Sequence, residues 1–207
     1  MMIGGGGHAA VLMDVLLRQG RQILAIISPD SVSQRTVFRG VPYLKNDEEI
    51  SRFSPKEVKL VNGLGMLPKS LKRRNLNERL KRMGYGFEQV ISPQASVSRY
   101  AELAEGAQIL SGAIVQAGTF VGEGTILNSG VIIEHDCMIG RYSHIAPRAT
   151  LCGEVIAQDN VFVGAGATVI QGLSLGESCV VGAGATIVNS LDSRHVAYNA
   201  RPEIYAI

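Results

Sequence analysis

From Ile91 to Ile187 the chain repeats a six-residue unit sixteen times without a break in register, and no other feature restricts its fold as much. Successive units begin at Ile91, Val97, Leu103, Ile109, Val115, Val121, Leu127, Ile133, Ile139, Ile145, Leu151, Ala157, Val163, Val169, Leu175, Val181 and Ile187. A small residue usually stands four places later, as at Ala95, Ala113, Cys137 and Ala167, and glycine recurs one place before it, as at Gly106, Gly112, Gly118 and Gly130. Six is a multiple of the strand period of two and not of 3.6, so the aliphatic residues stay on one side only if each unit is extended. A single unit cannot bury its own apolar residue, so a core arises only by stacking units into a solenoid. Glycine at a fixed place supplies the positive φ of a tight corner. The expected fold of this part is a parallel β-helix of short strands and corners.

The remaining composition suits a two-part chain. With 207 residues and 46% hydrophobic content it can bury a substantial core. Met1 to Ala10 lacks the basic-then-apolar order of a signal peptide, and no apolar stretch is long enough for a membrane span, so a cytoplasmic location without membrane insertion is expected. Cys137, Cys152 and Cys179 are odd in number and lack CxxC spacing, which points away from a disulfide framework or a zinc site. Cys137 and Cys179 read as small buried hydrophobes of the repeat.

Charge divides where the repeat begins. Residues 1–90 hold 15 Lys+Arg against 8 Asp+Glu, and residues 91–207 hold 5 against 10. The first part is therefore expected to meet something anionic, for which a nucleotide diphosphate suits as well as a nucleic acid. Within the basic run Lys69 to Arg82, the spacing of Leu67, Leu71, Leu76, Leu80 and Met83 predicts an amphipathic helix, with Lys72, Arg73, Arg74, Arg79 and Arg82 on its solvated face. No aromatic residues interleave with them, as a single-stranded nucleic-acid surface would require.

Residues 1–90 read as a small α/β domain. A short strand at Met1 to Ile3 precedes the loop Gly4 to Gly7 and a helix over His8 to Gln19 with Val11, Val15 and Leu16 on one face. Further strands are expected at Ile23–Ile27, Val41–Leu44 and Val58–Val61, with a helix near Asp47 to Phe53. Strand, glycine loop and helix in this order form a unit whose helix N-terminus can hold a phosphate, although Ala9 occupies the place of the third glycine of a GxGxxG motif and a flexible turn remains the alternative. His8 either contacts a ligand phosphate or caps the turn.

The chain has four histidines, His8, His135, His144 and His195. His135 stands at the third place of its unit, outside the positions that carry apolar or small residues, and so should project outward between Glu134 and Asp136. A neighbouring carboxylate can fix the tautomer of such an imidazole and stabilise its protonated form, which suits a general base. By spacing alone, an ordinary surface histidine with two solvated acids fits equally well.

The run GGGGHAAVLMDVL, the segment NSGVIIEHDCMIGRYSHIAPRATLCGEV and the later VFVGAGATVIQG and VVGAGATIV resemble the left-handed β-helix sugar acetyltransferases, most closely the PglD, perosamine N-acetyltransferase and NeuD-like family. The resemblance covers nearly the whole chain. It implies a Rossmann-like α/β domain over residues 1–88 that holds the nucleotide of the acceptor, a left-handed β-helix acetyltransferase domain over 89–192 with three units per coil, a C-terminal tail over 193–207, and a homotrimer. The implied activity is transfer of acetyl from acetyl-CoA to the amino group of a nucleotide-linked deoxyamino sugar, without a metal. O-acetylation of a sugar of the sialic acid type and a non-catalytic nucleotide-sugar-binding trimer are the alternatives. A metal-dependent hydratase would need three converging histidines, whereas only His135 and His144 lie in the repeat.

By the same resemblance His135 matches the base, Asp136 the acid that polarises it, and Glu134 an assisting carboxylate. His144 and Asn128 match residues near the donor thioester. Gly164, Ala165, Gly166 and Gly182 match a shelf for pantetheine, and Gly5, Gly6, Gly7 and His8 the nucleotide site. Two departures stand out. Tyr198-Asn199-Ala200-Arg201-Pro202 replaces a GNPA-type segment, leaving Arg201 as a phosphate contact, and Asp30 stands alone where relatives often carry consecutive acids. With three units per coil, His135 and His144 fall on different sides of the prism, about 15 Å apart along the backbone path. A working pocket is therefore expected to set His135 of one subunit opposite His144 of a neighbour.

Overall fold

A computed structural model describes residues 1–29 and 35–199. The first part is a five-stranded parallel sheet in which β1 (Met2–Ile3) is central, flanked on one side by β2 (Ile26–Ile27) and β3 (Tyr43–Leu44) and on the other by β4 (Lys59–Asn62) and β5 (Gly86–Phe87). Two helices cover it, α1 (Gly7–Arg18) and α2 (Lys72–Arg82), while the segment Asp47–Arg52 forms a 3-10 helix. Alternation along the central strand divides the core. Met2 points into a cluster with Leu12, Met13, Leu16 and Ile26 under α1, and Met1 and Ile3 point into another with Ile50, Leu60, Leu80 and Tyr85.

The strands sit close to their expected places, but the helices turn differently. In α1 the buried residues are Ala9, Leu12, Met13, Val15 and Leu16, whereas Val11, expected on the inner face, is 44% exposed. In α2 the correction is larger: Arg73, assigned by periodicity to the solvated face, is 2% exposed. Periodicity records only which residues are apolar, and here a cation occupies an inner place because backbone carbonyls receive it.

The second part is a three-sided β-helix. Its strands form sheets of seven, six and five members, and each strand pairs in parallel with the one 18 residues on, so three six-residue units make one coil. The first sheet runs Val90–Ile91, Gln108–Ile109, Ile126–Leu127, His144–Ile145, Phe162–Val163, Val180–Val181 and Val196–Ala197. The second includes Ile132–Ile133 and Thr150–Leu151, and the third Met138–Ile139 and Ile156–Ala157. The first residues of the units fill the prism together with small residues such as Cys137, Ala149, Ala167 and Cys179, mostly at 0% exposure. Each such aliphatic side chain contributes about 1.5–3 kcal/mol on burial. The register shortens once: Val196 pairs with Val180, 16 residues earlier rather than 18. Hence the β-helix continues into the segment read as tail.

The α/β part lies on the first sheet only. Val90 and Leu110 join the cluster beneath α1, and the outward residues Gln108, Ile126 and His144 of that sheet are buried. Among the described residues no helix is long and apolar enough to cross a membrane.

Candidate active site

Every sixth residue from Gly106 to Gly184 has φ between 53° and 75°, and each closes one of the three corners of a coil. Glycine holds most of these places, but Asp136, Tyr142, Arg148, Glu154 and Asn160 take five in succession. Side chains other than glycine cost about 1–2 kcal/mol there and gather where function or packing requires them.

His135 and Asp136 form one of these corners, opposite the first sheet. Nδ1 of His135 lies 2.9 Å from Oδ2 of Asp136. A carboxylate can only accept, so the proton sits on Nδ1 and Nε2 keeps a lone pair directed outward. The hydrogen bond to Asp136, reinforced by the charges of Asp136, Glu134 and Glu154, raises the imidazole pKa above its ordinary value. Glycines one coil away make the room. A Cβ on Gly153 would stand 2.5 Å from Nε2 of His135, and one on Gly118 would stand 2.1 Å from Oδ1 of Asp136. Gly153 was not anticipated, because its role appears only when residues 18 apart are stacked. An extra glycine at that offset from an unusual outward residue was the available signal.

Cys137, one residue from the corner, points inward. Its Sγ donates to the carbonyl of Cys152 at 3.2 Å, and burial pushes its thiol up to about 11, so it is no nucleophile near neutrality. Among the described residues no group of His, Cys, Asp or Glu is arranged to hold a metal.

His144 occupies a different place from the one expected. It is 8% exposed beneath the α/β part, Nδ1 donates to the carbonyl of Met66 at 3.2 Å, and Nε2 accepts from Asn128 Nδ2 at 3.1 Å. The ring meets Phe162 edge-on at 5.2 Å. Burial drives its pKa to about 4. Both nitrogens of His144 are thus spent within the chain, while the Asn128 amide keeps a second N–H beyond this bond.

Gly164 and Gly182 stack in adjacent coils for a packing reason, since a Cβ on Gly164 would come 2.4 Å from the Ala183 nitrogen. The ring of Tyr198 lies over Gly182, whereas Gly166 has open space before it. Of the expected shelf, Ala165 and Gly166 are therefore exposed, whereas Gly164 and Gly182 are buried. Asp30 and Arg201 lie outside the described residues.

The second feature is a cavity of about 940 Å³ in the α/β part, lined by Gly4, Gly5, Gly6, Gly7 and His8 at the start of α1, by Gly63 to Gly65 after β4, and by Arg35, Asp47 and Lys72. Its size and two cations suit an anionic ligand of nucleotide dimensions. His8 does not cap α1, whose first turn has no side-chain cap. Its Nε2 instead meets Oε1 of Gln108 in the β-helix at 2.7 Å. Close by, Arg73 donates to the carbonyls of Asn62, Leu64 and Gly124 at 2.9, 2.7 and 3.1 Å, and burial lowers its pKa to about 9.

Comparison with known proteins gives these features a context. Residues 1–80 match the PglD N-terminal domain, residues 118–153 the bacterial transferase hexapeptide (six repeats), and residues 155–188 the hexapeptide repeat of succinyl-transferase. Perosamine N-acetyltransferase from Caulobacter crescentus, solved with CoA and GDP-perosamine, is 30% identical over 96% of this chain and 92% of that one, with a TM-score of 0.85. The chain belongs to the PglD-type family of left-handed β-helix acyltransferases. A histidine-to-asparagine variant of the same Caulobacter enzyme superposes over 100% of this acyltransferase and 96% of that chain at 29% identity and a TM-score of 0.86. The acetyltransferase domain of PglB from Neisseria gonorrhoeae, solved with acetyl coenzyme A, is 25% identical over 96% and 94% of the two chains, with a TM-score of 0.87. No curated protein matches this acyltransferase in sequence.

Proposed function

We propose that this acyltransferase moves acetyl from acetyl-CoA to the amino group of a nucleotide-linked deoxyamino sugar, with His135 as general base. The observation that carries the reading is the His135–Asp136 pair, which leaves an unprotonated Nε2 outward above Gly153. The amine nitrogen attacks the thioester carbon, Nε2 takes the amine proton as the tetrahedral centre forms, and the centre collapses with loss of the CoA thiolate, which is then protonated. Asp136 holds the tautomer and stabilises the imidazolium. Transfer is direct, since the nearby Cys137 thiol is buried and bonded.

The same reading makes the active unit a trimer. The nucleotide cavity lies in the α/β part over the first sheet, while His135 stands on the corner across the prism, so acceptor and base meet only if a neighbour supplies one of them. Met138 and Ile156, each 47% exposed beside that corner, offer apolar surface for such a contact. The buried state of His144 means that His135 would face the neighbour's cavity rather than a second imidazole. With acetyl-CoA as donor, the reaction belongs in the cytoplasm.

Incubation with acetyl-CoA and UDP-, GDP- and dTDP-linked 3- and 4-amino sugars, following free thiol, tests the activity. Acetyl-dependent thiol release with one class of amino sugar is the expected result, and its absence across the panel, with hydrolysis alone, rejects the reading.

A further inference from the structure

The cavity's histidine is held in one tautomer by the β-helix. Gln108 Nε2 donates to the Asn62 carbonyl at 2.8 Å, which turns its Oε1 towards Nε2 of His8 at 2.7 Å. An amide oxygen can only accept, so Nε2 of His8 carries the proton and Nδ1 of the neutral ring is a bare acceptor. The fully buried side-chain nitrogens without a partner among the described residues belong to Arg73, Asn77 and Asn160, so Nδ1 of His8 reaches accessible space, and the space that His8 borders is the nucleotide cavity. Burial, the Arg73 cation from α2 and His144 from the first sheet together depress the His8 pKa to about 4, against the opposing bond from Gln108, so the neutral form persists near pH 7. Around the cavity mouth the charged groups are Arg35, Asp47 and Lys72.

We propose that Nδ1 of His8 accepts a hydrogen bond from a hydroxyl of the bound nucleotide sugar, so that His8 reads a hydroxyl group and does not contact phosphate. A lone pair repels a phosphate oxygen, and the cations Arg35 and Lys72 serve the diphosphate instead. This inference rests on the nucleotide-sugar reading above and deepens it by assigning a specificity-determining residue on the acceptor side.

Binding, measured calorimetrically without acetyl-CoA, separates the two. The ligands are UDP and GDP, their 2′- and 3′-deoxy forms, dTDP, and the amino sugars linked to UDP, GDP and dTDP. His8→Ala removes the acceptor, and thermal unfolding checks that the fold is retained. The expected result is a roughly tenfold loss on His8→Ala for ligands bearing the recognised hydroxyl, and no loss for the ligand lacking it. A loss confined to the nucleotide sugars places that hydroxyl on the hexose, and a loss shared by the nucleoside diphosphates places it on the ribose. Equal loss for hydroxyl and deoxy forms, or no loss for any ligand, overturns the proposal while leaving the functional reading intact. Wild-type protein that binds no nucleotide in the panel overturns both. Nitrogen-15 spectra of the histidines give an independent check: Nδ1 of His8 should remain unprotonated between about pH 5.5 and 8, and a protonated Nδ1 there ends the idea.

Discussion

His135, the proposed base, is set by two neighbours of opposite character, a carboxylate that holds one nitrogen and a glycine that clears the other. His135→Ala is expected to lower kcat by roughly 10²- to 10⁴-fold with the fold unchanged, as measured by steady-state kinetics and circular dichroism. The base works unprotonated, so a raised pKa means that rate is lost as pH falls through that raised value. Asp136→Asn removes the carboxylate whose charged hydrogen bond raises it. The acid limb of kcat/KM should then move to lower pH as kcat drops, and a limb that stays in place would argue against this pairing. Gly153→Ala should be almost as harmful as losing the base, because its Cβ would meet Nε2 at 2.5 Å, yet unfold at nearly the wild-type temperature. His135 was legible in the sequence as an outlier against the repeat. Gly153 was not, because adjacency through a coil is a property of stacking and not of neighbouring residues.

The corner is the unit of economy among the elements. Glycine serves most of the positive-φ places, but between Asp136 and Asn160 five corners keep side chains. Arg148→Gly should raise stability by about 0.5–1 kcal/mol in chemical denaturation, the relief of strain outweighing the added freedom of the unfolded chain. Ile139→Ala, by contrast, empties part of the prism core and should cost about 2–5 kcal/mol. The strands and corners were predictable because a two-residue strand every six residues leaves one solution for the aliphatic side. The faces of α1 and α2 were less so. Val11 lies outside and Arg73 inside, since what a helix buries is set by the surface it meets.

Across the whole molecule, the seam between the α/β part and the first sheet is polar and buried, and this makes it sensitive to acid. His8 and His144 both hold a pKa of about 4, below the unfolded value. The stability they represent is complete above about pH 6.5 and is lost as pH falls towards 4, on the order of several kcal/mol together. Unfolding temperature should therefore drop steeply in that window, and a flat profile from pH 7 to 4.5 would contradict the seam. Arg73→Ala removes three bonds to carbonyls and should cost on the order of 3 kcal/mol. At this scale too, the proposed trimer requires activity to fall on dilution, so fully active monomers in a sedimentation-matched assay would refute a shared site. By itself the sequence determined the β-helix, the corner that carries His135 and the glycine loop of the α/β part, because each is written in short-range spacing. Only the tertiary structure decided that His144 and Arg73 are buried struts, that His8 faces the β-helix through Gln108, and that cavity and base lie on opposite sides of one prism. Those facts depend on which surfaces meet, and no local period encodes the partner that a side chain will find.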